Sequence, residues 1–223
     1  MNGGVKVTAT LGSPVLGELP FLDALIEYEM AMHHGMADKF ERAIAIPAYG
    51  NIPSPILRRM IGGQLIPCCS SPIACHADNT VEYISKRLDV GMADCLDDKK
   101  RIKVNMTGGA YKSYHLPFPI QSITHIVWFA VGDRRGIKKS LHRMTSIGKK
   151  RSVGYGRVID WTIEAVEQDW SWFATTQSGI VLMRPLPDCN DLPQDMLGAR
   201  KDYGAVQPPM WHPSRYMDRV VPC

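Results

Sequence analysis

Apolar and polar positions begin to alternate almost at residue 1. Val5, Val7, Ala9 and Leu11 are separated by Lys6, Thr8 and Thr10, the period of a strand with one buried face. Gly12-Ser13-Pro14 then turns the chain. Pro20 opens a helix at a tolerated position. Its inner stripe is read as Phe21, Leu25, Tyr28 and Met32, widened by Leu22 and Ile26. His33 and His34 fall in its last turn and Gly35 at the C′ position. The histidine pair reads as capping, because cations there complement the helix dipole. Residues 42–47 read as a short second strand. Residues 123–131, with Trp128 and Phe129, are apolar on both faces and predict a central strand. Ile137, Leu141 and Met144 then recur at helical spacing, and Ile159, Trp161, Ile163 and Ala165 alternate with Asp160, Thr162 and Glu164.

Between about 48 and 121 the pattern breaks. Pro47, Pro53, Pro55, Pro67, Pro72, Pro117 and Pro119 punctuate it, with Gly62-Gly63 and Gly108-Gly109. Short strands are plausible at 64–69 and 101–105, and 80–88 fits a short helix or a strand. This stretch reads as an insertion between the second and third strands. The element order to residue 166 is then βαββαβ, which predicts an α+β, ferredoxin-like (RRM-like) domain over 1–166. After it, the Trp pair of 169–172 reads as an anchor to the core. A further strand is expected at 179–184. Seven of the sixteen prolines fall in the last forty residues, so 167–223 is expected to be one strand and an irregular extension packed on the domain.

Charge singles out one segment. From Asp133 to Arg157 there are nine Lys or Arg and one acid, a local charge of +8, whereas the whole chain carries only +4. Everything else therefore sums to −4. Arg135, Lys138, Lys139, His142 and Arg143 belong to the amphipathic helix. Beyond it, Gly148, Gly154 and Gly156 frame Lys149, Lys150, Arg151 and Ser152, and Arg157 follows. Successive backbone N–H groups in such a loop form an anion-binding concavity. Its cations suit a phosphate backbone, and Tyr155 offers a face on which an unpaired base can stack. The spacing is neither a P-loop nor Gly-x-Gly-x-x-Gly, which disfavours a nucleotide-cofactor enzyme, and no cofactor is expected.

Composition adds limits. Hydrophobic content of 45% and charged content of 22% are ordinary for a soluble globular protein. No apolar run is long enough to span a membrane, no signal-peptide core is visible, and a cytoplasmic protein without membrane contact is expected. Cys68, Cys69, Cys75, Cys95, Cys189 and Cys223 read as reduced thiols. Cys68, Cys69, Cys75 and His76 resemble half of a zinc site but lack a second close pair, so no metal is expected.

The phrase Ile147-Gly148-(five residues)-Gly154-Tyr155-Gly156 resembles the glycine-rich loop of the RAMP superfamily of CRISPR-associated RNA-binding proteins. Residues 147–158, with Asp160 and Trp161 after them, are most similar to the RAMP-type backbone subunit of type IV CRISPR effector complexes, which belongs to the fifth Cas group. Residues 123–172 carry most of the likeness, and the first hundred match only in order of elements. The resemblance implies a non-catalytic subunit that holds the 5′ handle of the CRISPR RNA. It would cap one end of the filament of backbone subunits and contact the large subunit, with target DNA nearby. It also implies a hairpin-like thumb projecting from the insertion. Arg58, Arg59, Tyr111 and Lys112, with Tyr114, are its expected RNA-facing groups, against the alternative of ordinary exposed loop residues. A second reading is a metal-independent endoribonuclease that trims precursor RNA, using His142, Tyr155 and Lys149 or Lys150. A DNA-binding module is a weaker third, for no helix-turn-helix pattern is visible.

Overall fold

The structure is a computed structural model that describes residues 3–33, 53–75, 78–87, 89 and 107–222. Its centre is a four-stranded antiparallel sheet. Strand β1 (Gly3–Leu11) lies between β8 (His125–Gly132) and β9 (Val158–Val166), and β5 (Ile73–Cys75) pairs with the far edge of β8. The alternation in β1 places Val5, Val7, Ala9 and Leu11 on one buried face. Two helices, α1 (Leu22–His33) and α2 (Arg134–Leu141), supply the apolar groups that join them in the core. Trp128 is fully buried there and its indole N–H donates to Pro20 O at 3.1 Å. Asp133 caps α2 by accepting from the backbone N–H of Arg135 and Gly136. The helix ends at Leu141, before Met144, which is nevertheless buried in the same core.

The expectation of a compact α+β, ferredoxin-like fold is overturned. Among the described residues the structure is mostly β, with 47% strand, 16% helix and two α-helices, and its strands are divided among several antiparallel sheets. The reason lies in the two stretches whose punctuation reads as irregular. Within the first, β3 (Arg58–Ile61) and β4 (Gln64–Pro67) form a hairpin. Strands β6 (Asp78–Lys86) and β7 (Tyr114–Ser122) pair over nine residues in a long ribbon, extended by the two-residue β2 (Val15–Leu16). The ambiguous 80–88 is thus strand as far as Lys86. The segments 42–47 and 101–105, and residues His34, Gly35, His76, Cys95 and Cys223, lie outside the described residues.

The proline-rich tail also contributes strands between its irregular turns. β10 (Phe173–Thr176), β11 (Gly179–Leu182) and β13 (Met196–Leu197) form one sheet. β12 (Leu186–Pro187), β15 (Tyr216–Val221) and β14 (Arg200–Ala205) form another. Pro187 sits in the edge strand β12, where a missing N–H is tolerated. These sheets enclose a second core of Ile61, Ile66, Cys68, Val131, Trp172, Leu182, Leu186, Val206 and Val220.

Helix α1 packs into the first core, and its buried face differs from the expected stripe. Leu22, Leu25 and Ile26 are buried together with Asp23 and Glu27, whereas Tyr28 and Met32 are 39% and 46% exposed. Asp23 meets the fully buried Arg184 at 3.2 Å, and Arg184 also donates to the carbonyls of Pro67, Cys69 and Val206. Glu27 meets Arg58. Burying carboxylates is costly unless they are paired, and both partner arginines come from distant chain segments.

Candidate nucleic-acid interface

The glycine loop leaves the core at the buried Ile147 and returns to it at Val158. Four residues have positive φ: Gly148 (+80°), Lys150 (+56°), Gly154 (+100°) and Gly156 (+64°), around a short 3-10 turn at Arg151–Val153. Its base is bolted to the turn after β1. Gly156 N donates to Pro14 O at 2.7 Å, Gly12 N to Arg157 O at 2.8 Å, and Ser13 Oγ to Gly154 O at 2.7 Å. Gly156 is required by the loop itself, since a Cβ there would lie 1.9 Å from Ile147 O. Gly154 faces open space, so its requirement is the left-handed backbone alone. The loop is therefore rigidly presented.

Its cations meet aromatic rings. Lys150 Nζ lies 5.7 Å from the centre of the Tyr114 ring and 3.5 Å from its hydroxyl. The Arg151 guanidinium lies 5.2 Å from the Tyr28 ring centre, with one N–H donated to the Tyr28 hydroxyl at 3.3 Å. Lys149 runs against Gly17, with its Cδ 3.3 Å from where a Cβ would be. Tyr155 donates its hydroxyl to Glu82 on the ribbon, and this hydrogen bond holds the phenol above its usual pKa. Ser152 and Arg157 are exposed. Loop, ribbon and α1 thus converge at one place, with three tyrosines among the cations. Periodicity places Tyr28 on the inner face of α1, whereas it is exposed beneath Arg151. The signal that could have revealed it is that Leu22, Leu25 and Ile26 complete an apolar stripe without it.

The other expected contacts lie elsewhere. Lys139 and Arg143 rim a groove between α1 and α2, where Arg143 pairs with Glu29 at 3.6 Å. Lys138 and His142 rim a second groove between α2 and β9, beside Asp160 and floored by Met144 and Trp161. Arg58 is held by the buried Glu27, and Arg59 pairs with Asp169 at 2.6 Å. Tyr111 and Lys112 are exposed at the short 3-10 turn Gly109–Tyr111 before β7. Burial drives the Cys68 thiol up to about 11 and raises Cys69 further, so both are thiols rather than thiolates near neutral pH. Among the described residues, no group of three or more His, Cys, Asp or Glu is placed to hold a metal ion. Among them, too, no helix is long and apolar enough to cross a membrane.

Comparison with known proteins adds a family. No curated protein matches the chain. The family described as CRISPR type IV associated protein Csf3 matches residues 74–222, which take in the ribbon, the basic helix, the loop and both C-terminal sheets. That is well over half the sequence, and the chain therefore belongs to the Csf3 family of type IV CRISPR-associated proteins.

Proposed function

We propose that this type IV CRISPR-associated protein is a non-catalytic RNA-binding subunit of the interference complex and a RAMP-type protein by its glycine loop. It holds the 5′ handle of the CRISPR RNA, caps the backbone filament, contacts the large subunit and acts in the cytoplasm. One observation carries this reading: Lys149, Lys150 and Arg151 converge with Tyr28, Tyr114 and Tyr155 on a loop rigid enough to present them. Cations track a phosphate backbone while aromatic faces stack unpaired bases. Base pairing reads the target in such complexes, and the protein grips the guide's backbone and shape.

A nuclease needs its base within hydrogen-bonding reach of the proton it removes. His142 belongs to the groove beside β9, while the Tyr155 hydroxyl points to Glu82 on the ribbon. That arrangement favours binding over cleavage. The test is extraction of RNA from the purified complex, followed by incubation of the chain with labelled repeat RNA in EDTA and in Mg²⁺. A uniform short RNA bound through the handle and left uncut is expected. A specific cut that vanishes in His142→Ala with binding intact would replace this reading with the nuclease.

A further inference from the structure

Glu82 stands out at this interface because it is acidic. It sits in β6 opposite Phe118, on the ribbon face that also carries Ile84, Leu116 and Tyr114. Tyr114, opposite Lys86, is four residues further along that face, about 13 Å at the rise of a strand. The loop spans this distance, with Tyr155 over Glu82 at one end and Lys150 over Tyr114 at the other. The Glu82 side chain is exposed, and it accepts from Tyr155 rather than from Lys149, Lys150, Arg151 or Arg157.

A carboxylate repels phosphate, so its place among cations calls for a different part of the ligand. An ionised carboxylate only accepts hydrogen bonds, through two oxygens with about four lone-pair sites. Single-stranded RNA exposes the Watson–Crick edges of its bases. On that edge guanine alone presents two adjacent donors, N1–H and N2–H. Uracil sets one N–H between two carbonyl oxygens, and cytosine and adenine set an amino group beside an acceptor nitrogen. Only guanine matches both carboxylate oxygens, and Tyr155 occupies one further lone pair while fixing the carboxylate's orientation.

We propose that Glu82 is a specificity-determining residue that accepts N1–H and N2–H of an unpaired guanine in the RNA held by the loop. The inference rests on the RNA-binding reading above and adds a base to it. The rival role for Glu82 is a latch that ties ribbon to loop and touches no ligand.

The experiment compares the full chain with Glu82→Gln and Tyr155→Phe. The probes are four short fluorescent uridine-rich RNAs that carry guanine, adenine, cytosine or uracil at one central position. Wild type is expected to favour the guanine RNA by roughly tenfold or more, the discrimination of a good bidentate base contact. Glu82→Gln keeps an oxygen for the Tyr155 hydroxyl but turns a donor toward the base. It should erase the preference and leave the other three affinities within about twofold, the scatter expected where no contact is lost. Tyr155→Phe, which cuts the latch and keeps the ring, should weaken the preference through the freed carboxylate without erasing it.

Equal binding of all four RNAs by wild type would overturn the assignment of Glu82 alone. So would a uniform loss in Glu82→Gln that Tyr155→Phe reproduces. Wild type binding none of the four would remove the RNA-binding reading and this inference with it.

Discussion

Cations meet α1 at two places, and they are held there in opposite ways. On its buried side, Arg184 and Arg58 are matched one for one by Asp23 and Glu27, and Arg184 makes three further bonds to carbonyls. On its exposed side, Arg151 lies on the Tyr28 ring, and nearby Lys150 lies on Tyr114. A buried cation must be neutralised locally, because an unpaired charge in a low-dielectric interior is prohibitive. A cation on an aromatic face keeps its charge uncompensated, at an attraction of only about 0.5–1 kcal/mol at exposed sites. The first arrangement fixes the fold, and the second keeps charge available for a polyanion. Net charge along the sequence does not separate these roles; the identity of each partner does.

The strongest break in this contrast is Arg184→Met. It strands Asp23 in the core, where Oδ1 already has no hydrogen-bond partner among the described residues. Breaking a buried pair by removing one member costs about 3–5 kcal/mol. Urea unfolding should register a loss of that size, and a loss below about 0.5 kcal/mol, the size of an ordinary surface change, would refute the pairing.

Glu27 provides the next test. Burial, reinforced by Asp23, drives its carboxyl up to about 7 despite Arg58. An acid whose folded-state pKa exceeds its unfolded value binds protons preferentially in the folded state. Its stabilising contribution is thus full at pH below the unfolded glutamate value and falls as pH rises toward 7. Stability should drop by up to about 3 kcal/mol across that window, and Glu27→Gln should flatten the slope. A wild-type slope of the opposite sign would mean that the pair with Arg58 dominates.

The loop glycines should then separate from each other. Gly156→Ala forces a Cβ onto Ile147 O and should cost more than about 2 kcal/mol, since the left-handed backbone alone costs 1–2 kcal/mol. Gly154→Ala meets no neighbour and should cost only that backbone strain of roughly 1–2 kcal/mol. Equal melting temperatures for the two variants would contradict the geometry of the loop base.

Smallest in stability, and sharpest in function, is the triple replacement of Lys149, Lys150 and Arg151 by Ala. The thermal unfolding midpoint should stay nearly in place. RNA affinity should fall, and its log–log dependence on salt should flatten by up to ~2 if about three phosphates are neutralised. Unchanged affinity with unchanged slope would remove the loop from the interface.

Local pattern determined a good deal by itself. A period of two announced β1 and β9, a run apolar on both faces announced β8, and a helical period announced α2. Three glycines around three cations marked the loop, and its phrase carried the likeness to type IV CRISPR proteins that the family match bears out at the level of the family. These features are legible because each is set by neighbours within a few residues.

Tertiary structure alone decided the rest. The inward face of α1 turns on Asp23 and Glu27, polar residues that are buried only because Arg184 and Arg58 reach them across 161 and 31 residues. Tyr28, Tyr114 and Glu82 join the loop from three distant segments for the same reason. The tail's strands, two of them only two residues long, have too little sequence to show a period. They exist because β15 and β11 offer them backbone partners, so their pairing is a property of the folded chain, not of the segments themselves.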